Sequence, residues 1–173
     1  MANYYTGIGS RNTPIHILTE MTALATELET HGLILRSGGA SGADTAFEAG
    51  VKDPHNAKIF LPWHNFNQNT SALYRITADA LDMAKKYHPA WHRCSAAARK
   101  FHARNCYQIL GNNLDTKSQF VLCWTPNGEM VGGTSQALRI AKDLGIPIFN
   151  MAETGWSSRF NLFMTDHLLG ELS

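Results

Sequence analysis

The run Leu33-Ile34-Leu35-Arg36-Ser37-Gly38-Gly39-Ala40-Ser41-Gly42-Ala43-Asp44 constrains this chain more than any other stretch. An apolar segment breaks into a loop of small residues, and a helical pattern starts at Ala43. The order is strand, loop, helix, with the loop at the carboxyl end of the strand. In an open parallel sheet such a loop faces the ligand crevice. Its glycines let backbone N–H groups approach a ligand, and the start of the helix adds a field that favours anions. The layout recurs near the amino terminus in Tyr4-Tyr5-Thr6-Gly7-Ile8-Gly9-Ser10-Arg11. It recurs again where Phe120-Val121-Leu122-Cys123-Trp124 is followed by Gly132-Gly133-Thr134-Ser135. One glycine loop is only a turn in most proteins. Three of them, each after a strand, predict one shared pocket for a phosphate-bearing ligand.

Strands are expected at Asn3–Gly7, Leu33–Arg36, Lys58–Leu61, Gln119–Trp124 and Ile146–Phe149. The first helix starts near Pro14, with Thr13 as its cap, and stops at His31-Gly32. It carries Ile17, Leu18, Met21, Leu24, Ala25 and Leu28 at helical spacing. Further helices are expected over Ala43–Ala49, Ile76–Lys86, from a Ser95 cap through Leu110, over Thr134–Leu144 and over Phe160–Leu169. Strands alternating with helices predict an α/β fold with right-handed crossovers. The expected architecture is a single Rossmann-like domain over residues 1–173, with a mainly parallel sheet flanked by helices. A chain of 173 residues buries a full core without covalent staples.

Basic residues number 15 and acidic residues 14, for a formal net charge of +1. That balance offers no general attraction for DNA or acidic membranes, so nucleic acid is disfavoured as a partner. The three cysteines, Cys94, Cys106 and Cys123, form no CxxC pair. They read as buried thiols in a reducing compartment. No apolar run reaches membrane length, and the opening Met-Ala-Asn-Tyr-Tyr leads directly into a strand. A cytoplasmic protein without a signal peptide is expected.

The motifs carry a family resemblance. Leu35 to Asp44 resembles the signature of the DNA-processing protein A (DprA/Smf) family. Thr6-Gly7-Ile8-Gly9-Ser10-Arg11 resembles that family's first strand and loop, and Ala103-Arg104-Asn105 resembles its Arg-Asn pair. Gly132-Gly133-Thr134 is similar to the helix-opening loop of the lysine-decarboxylase-like, or Lonely guy, proteins. The resemblance spans about Tyr4 to Asn150 and points to the SLOG superfamily of Rossmann-like nucleotide-binding domains. The pattern also resembles small stand-alone members found on bacteriophage genomes. One departure bears on chemistry. The Lonely guy phosphoribohydrolases carry Pro-Gly-Gly-x-Gly-Thr-x-x-Glu, whereas this chain reads Val131-Gly132-Gly133-Thr134-Ser135-Gln136-Ala137. The catalytic glutamate is missing, and the nearby Gln136 amide cannot act as a general base.

The candidate ligand-binding residues are Gly7, Gly9, Ser10, Arg11, Ser37, Gly38, Gly39, Arg104, Asn105, Gly132, Gly133, Thr134 and Ser135. Phosphates would lie against the three loops. The planar forks of Arg11 and Arg104 suit phosphate oxygens. Arg104 and Asn105 are singled out by the resemblance; periodicity alone assigns them, with Arg99, Lys100 and His102, to a solvated basic face. Asp44 and Glu48 are the candidate catalytic acids should the protein be an enzyme. Asp44 can equally be an acid placed to favour the helix dipole, and Glu48 an exposed helix residue. His88 and His92 stand four apart, but Pro89 and the lack of a third ligand argue against a metal. Trp63 and Trp124 sit at predicted strand ends, where a ring can pack in the core or stack on a base.

Three functions follow. The first is binding of a nucleotide or nucleotide-derived small molecule, to sequester or sense a signal, which fits an anti-defence role on a phage. The second is hydrolysis of an N-glycosidic or nucleotide bond. The third, implied by the DprA resemblance, is binding of single-stranded DNA in recombination. No cofactor and no metal are expected. SLOG proteins resemble one another in forming dimers, and the apolar helices from Pro14 and Phe160 offer a face for a homo-oligomer.

Overall fold

The computed structural model describes residues 2–168. Five strands form one parallel sheet: β1 (Asn3–Gly9), β2 (Leu33–Ser37), β3 (Ala57–Ile59), β4 (Val121–Trp124) and β5 (Ile148–Asn150). Their order across the sheet is β3-β2-β1-β4-β5. The described helices are α1 (Ile15–Thr30), α2 (Ala43–Gly50), α3 (Ala78–Tyr87), α4 (Ala96–Leu110), α5 (Ser135–Asp143) and α6 (Trp156–Leu168).

Strand side chains alternate between faces, and both faces are covered, so consecutive strand residues are buried. Tyr5, Leu33, Leu35, Leu122 and Phe149 join Met21 and Ala25 of α1, Phe47 of α2 and Phe160 of α6 in one core cluster. Ile8, Val121 and Cys123 join α3, α4 and α5 in the other. The chain runs outward from β1 through β2 to β3, then returns to lay β4 and β5 on β1's other side. Thr6 is therefore in register with Arg36 on one side and Val121 on the other. The reversal between β1 and β4 is a topological switch point, where open α/β sheets place their ligands.

Several element ends differ from the sequence reading. Thr13 does not cap α1; its hydroxyl donates to the Ser10 carbonyl at 2.6 Å. Ser95 does cap α4, accepting from the Ala98 N–H, while α3 starts at Ala78 rather than Ile76 because Thr77 caps it, accepting from the Ala80 N–H. β1 continues to Gly9 because its last residues pair with Cys123 and Trp124. β3 stops at Ile59, and Phe60 and Leu61 turn toward Leu73 instead. Ile146 is lost to β5 because its N–H donates to Ala141 and closes α5. Pro147 has no N–H to give a ladder, so β5 starts at Ile148. The last helix begins at Trp156 rather than Phe160, and its expected end at Leu169 lies outside the described residues.

The apolar stripes of α1 and α6, expected to supply an oligomer face, are largely spent on the core: Ile17, Met21, Leu28 and Phe160 are buried. Ile15 and Leu162 remain outside, 81% and 66% exposed. Among the described residues no helix is long and apolar enough to cross a membrane.

Candidate functional site

A crevice of about 510 Å³ opens at the carboxyl edge of the sheet, beside the switch point. Its walls are the loop after β1, the start of α2, the loop before α5, and the middle of α4. Gly42 explains how the first two fit together. Its φ is +86°, and a Cβ there would lie 2.8 Å from both Arg11 Cα and the Ser10 carbonyl oxygen. Only glycine permits the β1 loop to cross the start of α2 so closely. The Ala43 N–H then donates to the Ser10 carbonyl at 3.4 Å. The starts of α2 and α5 both border the crevice, and a helix start favours an anion.

The fourth wall, α4, is tied to the loops by two neighbouring residues. Arg104 is 5% exposed and Asn105 6%. The Arg104 guanidinium donates to the Gly38 carbonyl, to the Phe60 carbonyl at 3.3 Å and to the Asn105 side-chain oxygen at 3.1 Å. Asn105 in turn donates to the Gly133 carbonyl at 3.0 Å. One helix thereby fixes the ends of β2 and β3 and the loop before α5. Arg104 still borders the crevice, but its hydrogen bonds go mainly to backbone. Arg11 differs: it is exposed, and it lies on the crevice rim.

Asp44 lies in the crevice wall and is 4% exposed. Burial pushes its carboxyl up to about 6, while Arg104 and the N–H groups of Ala40 and Gly9 draw it back. The two charges attract through space without a direct ion pair. A carboxyl in this range can hold or give up a proton near neutrality. Glu48 does not border the crevice. Both its carboxylate oxygens accept from Asn69 Nδ2 at 3.0 Å, which anchors the loop after β3.

The crevice therefore brings together Gly9, Ser10, Arg11, Asp44, Arg104, Asn105, Gly132, Gly133 and Thr134. The other sequence candidates sit behind it. A Cβ on Gly7 would strike Phe47 at 2.6 Å, so this glycine serves packing of α2 on β1. The Ser37 hydroxyl is buried and donates to the Gly7 carbonyl. Gly38 makes room for Arg104 and Gln108, and Gly39 for Leu61. The Ser135 hydroxyl donates to the Gly132 carbonyl at 2.6 Å and closes the loop before α5.

Phe101 was missed. This half-buried residue forms part of the crevice wall. Its ring meets Trp63 and Phe66 edge to face, at centroid distances of 5.1 and 5.3 Å. Trp63 is thus held beside the crevice, whereas Trp124 packs partly buried against the core. His92 is exposed, and His88 meets Cys94 and His102 instead.

No protein-family model matches the sequence, and no curated protein matches it either. Among solved structures, the fold is similar to that of DNA processing protein A from Helicobacter pylori, described for that protein's unique single-stranded DNA binding mode. The two are 16% identical, with a TM-score of 0.55 over 97% of this chain and 77% of that one. This chain therefore has a DprA-like, Rossmann-like fold, and the crevice stands at its switch point.

Proposed function

We propose that the crevice seats one nucleotide unit of a single-stranded DNA chain. The observation that carries this reading is the meeting of two loops, two helix starts, the middle of α4 and exposed Arg11 around one crevice, on a fold similar to that of a protein described for its single-stranded DNA binding mode. A phosphate would rest against the starts of α2 and α5, with Arg11 giving a charge-assisted bond. A base would lie against Phe101. Trp63, 37% exposed and touching Phe101, offers the next base a surface outside the crevice. Stacking of this kind contributes about 1–3 kcal/mol per base and tolerates any sequence. The near-neutral net charge bears on the strength of such binding; the local arrangement of charge and aromatic rings sets where it occurs.

A fluorescently labelled oligothymidylate titrated with the protein tests the reading. Its anisotropy is expected to saturate, with an affinity that falls about tenfold or more in Arg11→Ala and in Phe101→Ala. A duplex of matched length should compete poorly. A second reading, a free nucleotide as ligand, is favoured by the 510 Å³ volume and the buried Asp44. A mononucleotide binding as tightly as the oligonucleotide would establish that reading in place of the first. Release of a free base or phosphate in the same tubes, abolished by Asp44→Asn, would make the protein a hydrolase.

A further inference from the structure

We propose that His88, Cys94 and His102 form a zinc site on the flank of α4. The inference does not rest on the function proposed above. The three residues come from separate places: the end of α3, the segment before α4, and the second turn of α4 itself. One donor atom from each lies within 4.8 Å of the other two. Cys94 Sγ is 3.8 Å from both ring nitrogens of His88. The rings of His88 and His102 have centroids 4.3 Å apart and planes inclined at 51°. Tetrahedral zinc, with bonds of about 2.0–2.3 Å, holds neighbouring donor atoms roughly 3.3–3.6 Å apart. To reach that geometry the donors must close by up to about 1 Å, and the His88 ring, whose two nitrogens are equally far from Sγ, must turn to aim one of them at the metal.

The donor set selects the metal. Two imidazoles and a thiolate suit zinc, whereas magnesium and calcium require oxygen ligands, and no carboxylate belongs to the cluster. Cys94 is half-buried, in contrast to the fully buried Cys106 and Cys123. The backbone of the segment is already shaped without metal: the Cys94 N–H donates to the Trp91 carbonyl at 3.0 Å, and Ser95 caps α4. His102 Nδ1 is buried without a hydrogen-bond partner. A fourth coordination position is left for water.

Two features set the strength of binding. The Ala90 N–H donates to His88 Nδ1 at 3.1 Å. Zinc on either ring nitrogen removes that bond, because a metal on Nε2 moves the ring proton to Nδ1. The guanidinium of Arg139 on α5 also acts on both imidazoles. Cys94 offsets part of that charge: it binds as a thiolate and gives its proton to solvent. These terms make the site weaker than a preformed four-ligand site.

The test uses the full chain without a histidine tag, stripped of metal and titrated with zinc against a chromophoric chelator. One zinc per chain is expected. Cobalt in its place should give a thiolate-to-metal charge-transfer band and the intense visible bands of tetrahedral coordination. Cys94→Ser should abolish the charge-transfer band and weaken zinc binding more than about tenfold, and His102→Ala should weaken it similarly. His92→Ala, on an exposed neighbour, should change neither. Uptake below one equivalent at saturating micromolar zinc, or no charge-transfer band in the unaltered protein, overturns the proposal. Equal affinity in Cys94→Ser and the unaltered protein overturns it as well. The cobalt spectrum of the unaltered chain decides the matter even if a variant misfolds.

Discussion

Asp44 ties stability to the chemistry of the crevice. Its carboxyl rises from 3.8 to about 6, chiefly through burial. Between those two values the unfolded chain has lost a proton that the folded protein keeps. Folding takes up that proton, so this contribution is fully present below about pH 3.8 and is lost as pH rises through 6. A shift of about two units corresponds to ~3 kcal/mol. Glu29 works in the opposite sense. Asn56 and the N–H groups of Lys52 and Asp53 lower its carboxyl, so its contribution is lost as pH falls. Comparing unaltered protein with Asp44→Asn isolates the buried group. Relative to the unaltered protein, the variant should gain stability between pH 4 and pH 7 in denaturant unfolding. A difference that stays constant across that range would refute the assignment. Phosphate binding beside Asp44 should likewise take up a proton, so affinity should fall above about pH 6, and less so in Asp44→Asn.

At the scale of the element, α4 holds the crevice together, and two arginines that look alike in sequence separate in kind. Arg104→Ala would strand the Gly38 and Phe60 carbonyls it serves. Each buried unsatisfied group costs about 1–3 kcal/mol, so a stability loss of roughly 3 kcal/mol or more is expected from chemical denaturation. Arg11→Ala should leave stability within about 0.5 kcal/mol and reduce oligonucleotide affinity instead. Asn105→Ala should fall between them, at about 1 kcal/mol, with faster amide exchange across residues 131–134. Equal stability of the two arginine variants would contradict this division. The glycine loops were legible in the sequence because a missing Cβ at a strand end has few uses. Their inner roles were not, because the atoms that decide them lie far away in the chain. Gly38 yields to Arg104, and Asn105 reaches Gly133. Gly132 takes the left-handed backbone, at φ +70°, and Gly133 faces open space. Gly133→Val is therefore a probe of crevice occupancy that leaves the fold intact. Phe101 carries no sequence signal of its own, because its partners, Trp63 and Phe66, belong to the least regular part of the sequence. Spacing pairs His88 with His92, whereas the fold brings Cys94, from the segment before α4, and His102, on α4, to it.

At the scale of the whole molecule, strand order explains why three distant motifs meet. β1 lies at the centre with β2 and β4 on either side, so the loops after these three strands emerge side by side at the switch point. The same architecture limits how strongly a nucleic acid can be held. The chain carries a formal charge of only +1, and Arg11 is the exposed cation among the crevice-lining residues. Counterion release from a single strand lowers log K by about 0.7 per log unit of salt for each phosphate neutralised. One or two such contacts give a slope of roughly −0.7 to −1.4. Aromatic contacts at Phe101 and Trp63 should supply the part of the affinity that survives in high salt. Binding to a labelled oligothymidylate, measured across a range of sodium chloride concentrations, should give that shallow line. Arg11→Ala should flatten it by about 0.7. Phe101→Ala should shift the line down without changing its slope, because a ring neutralises no phosphate. A slope steeper than about −3 would require four or more neutralised phosphates. The crevice wall does not carry that many cations, so the strand would then run over a different face of the protein.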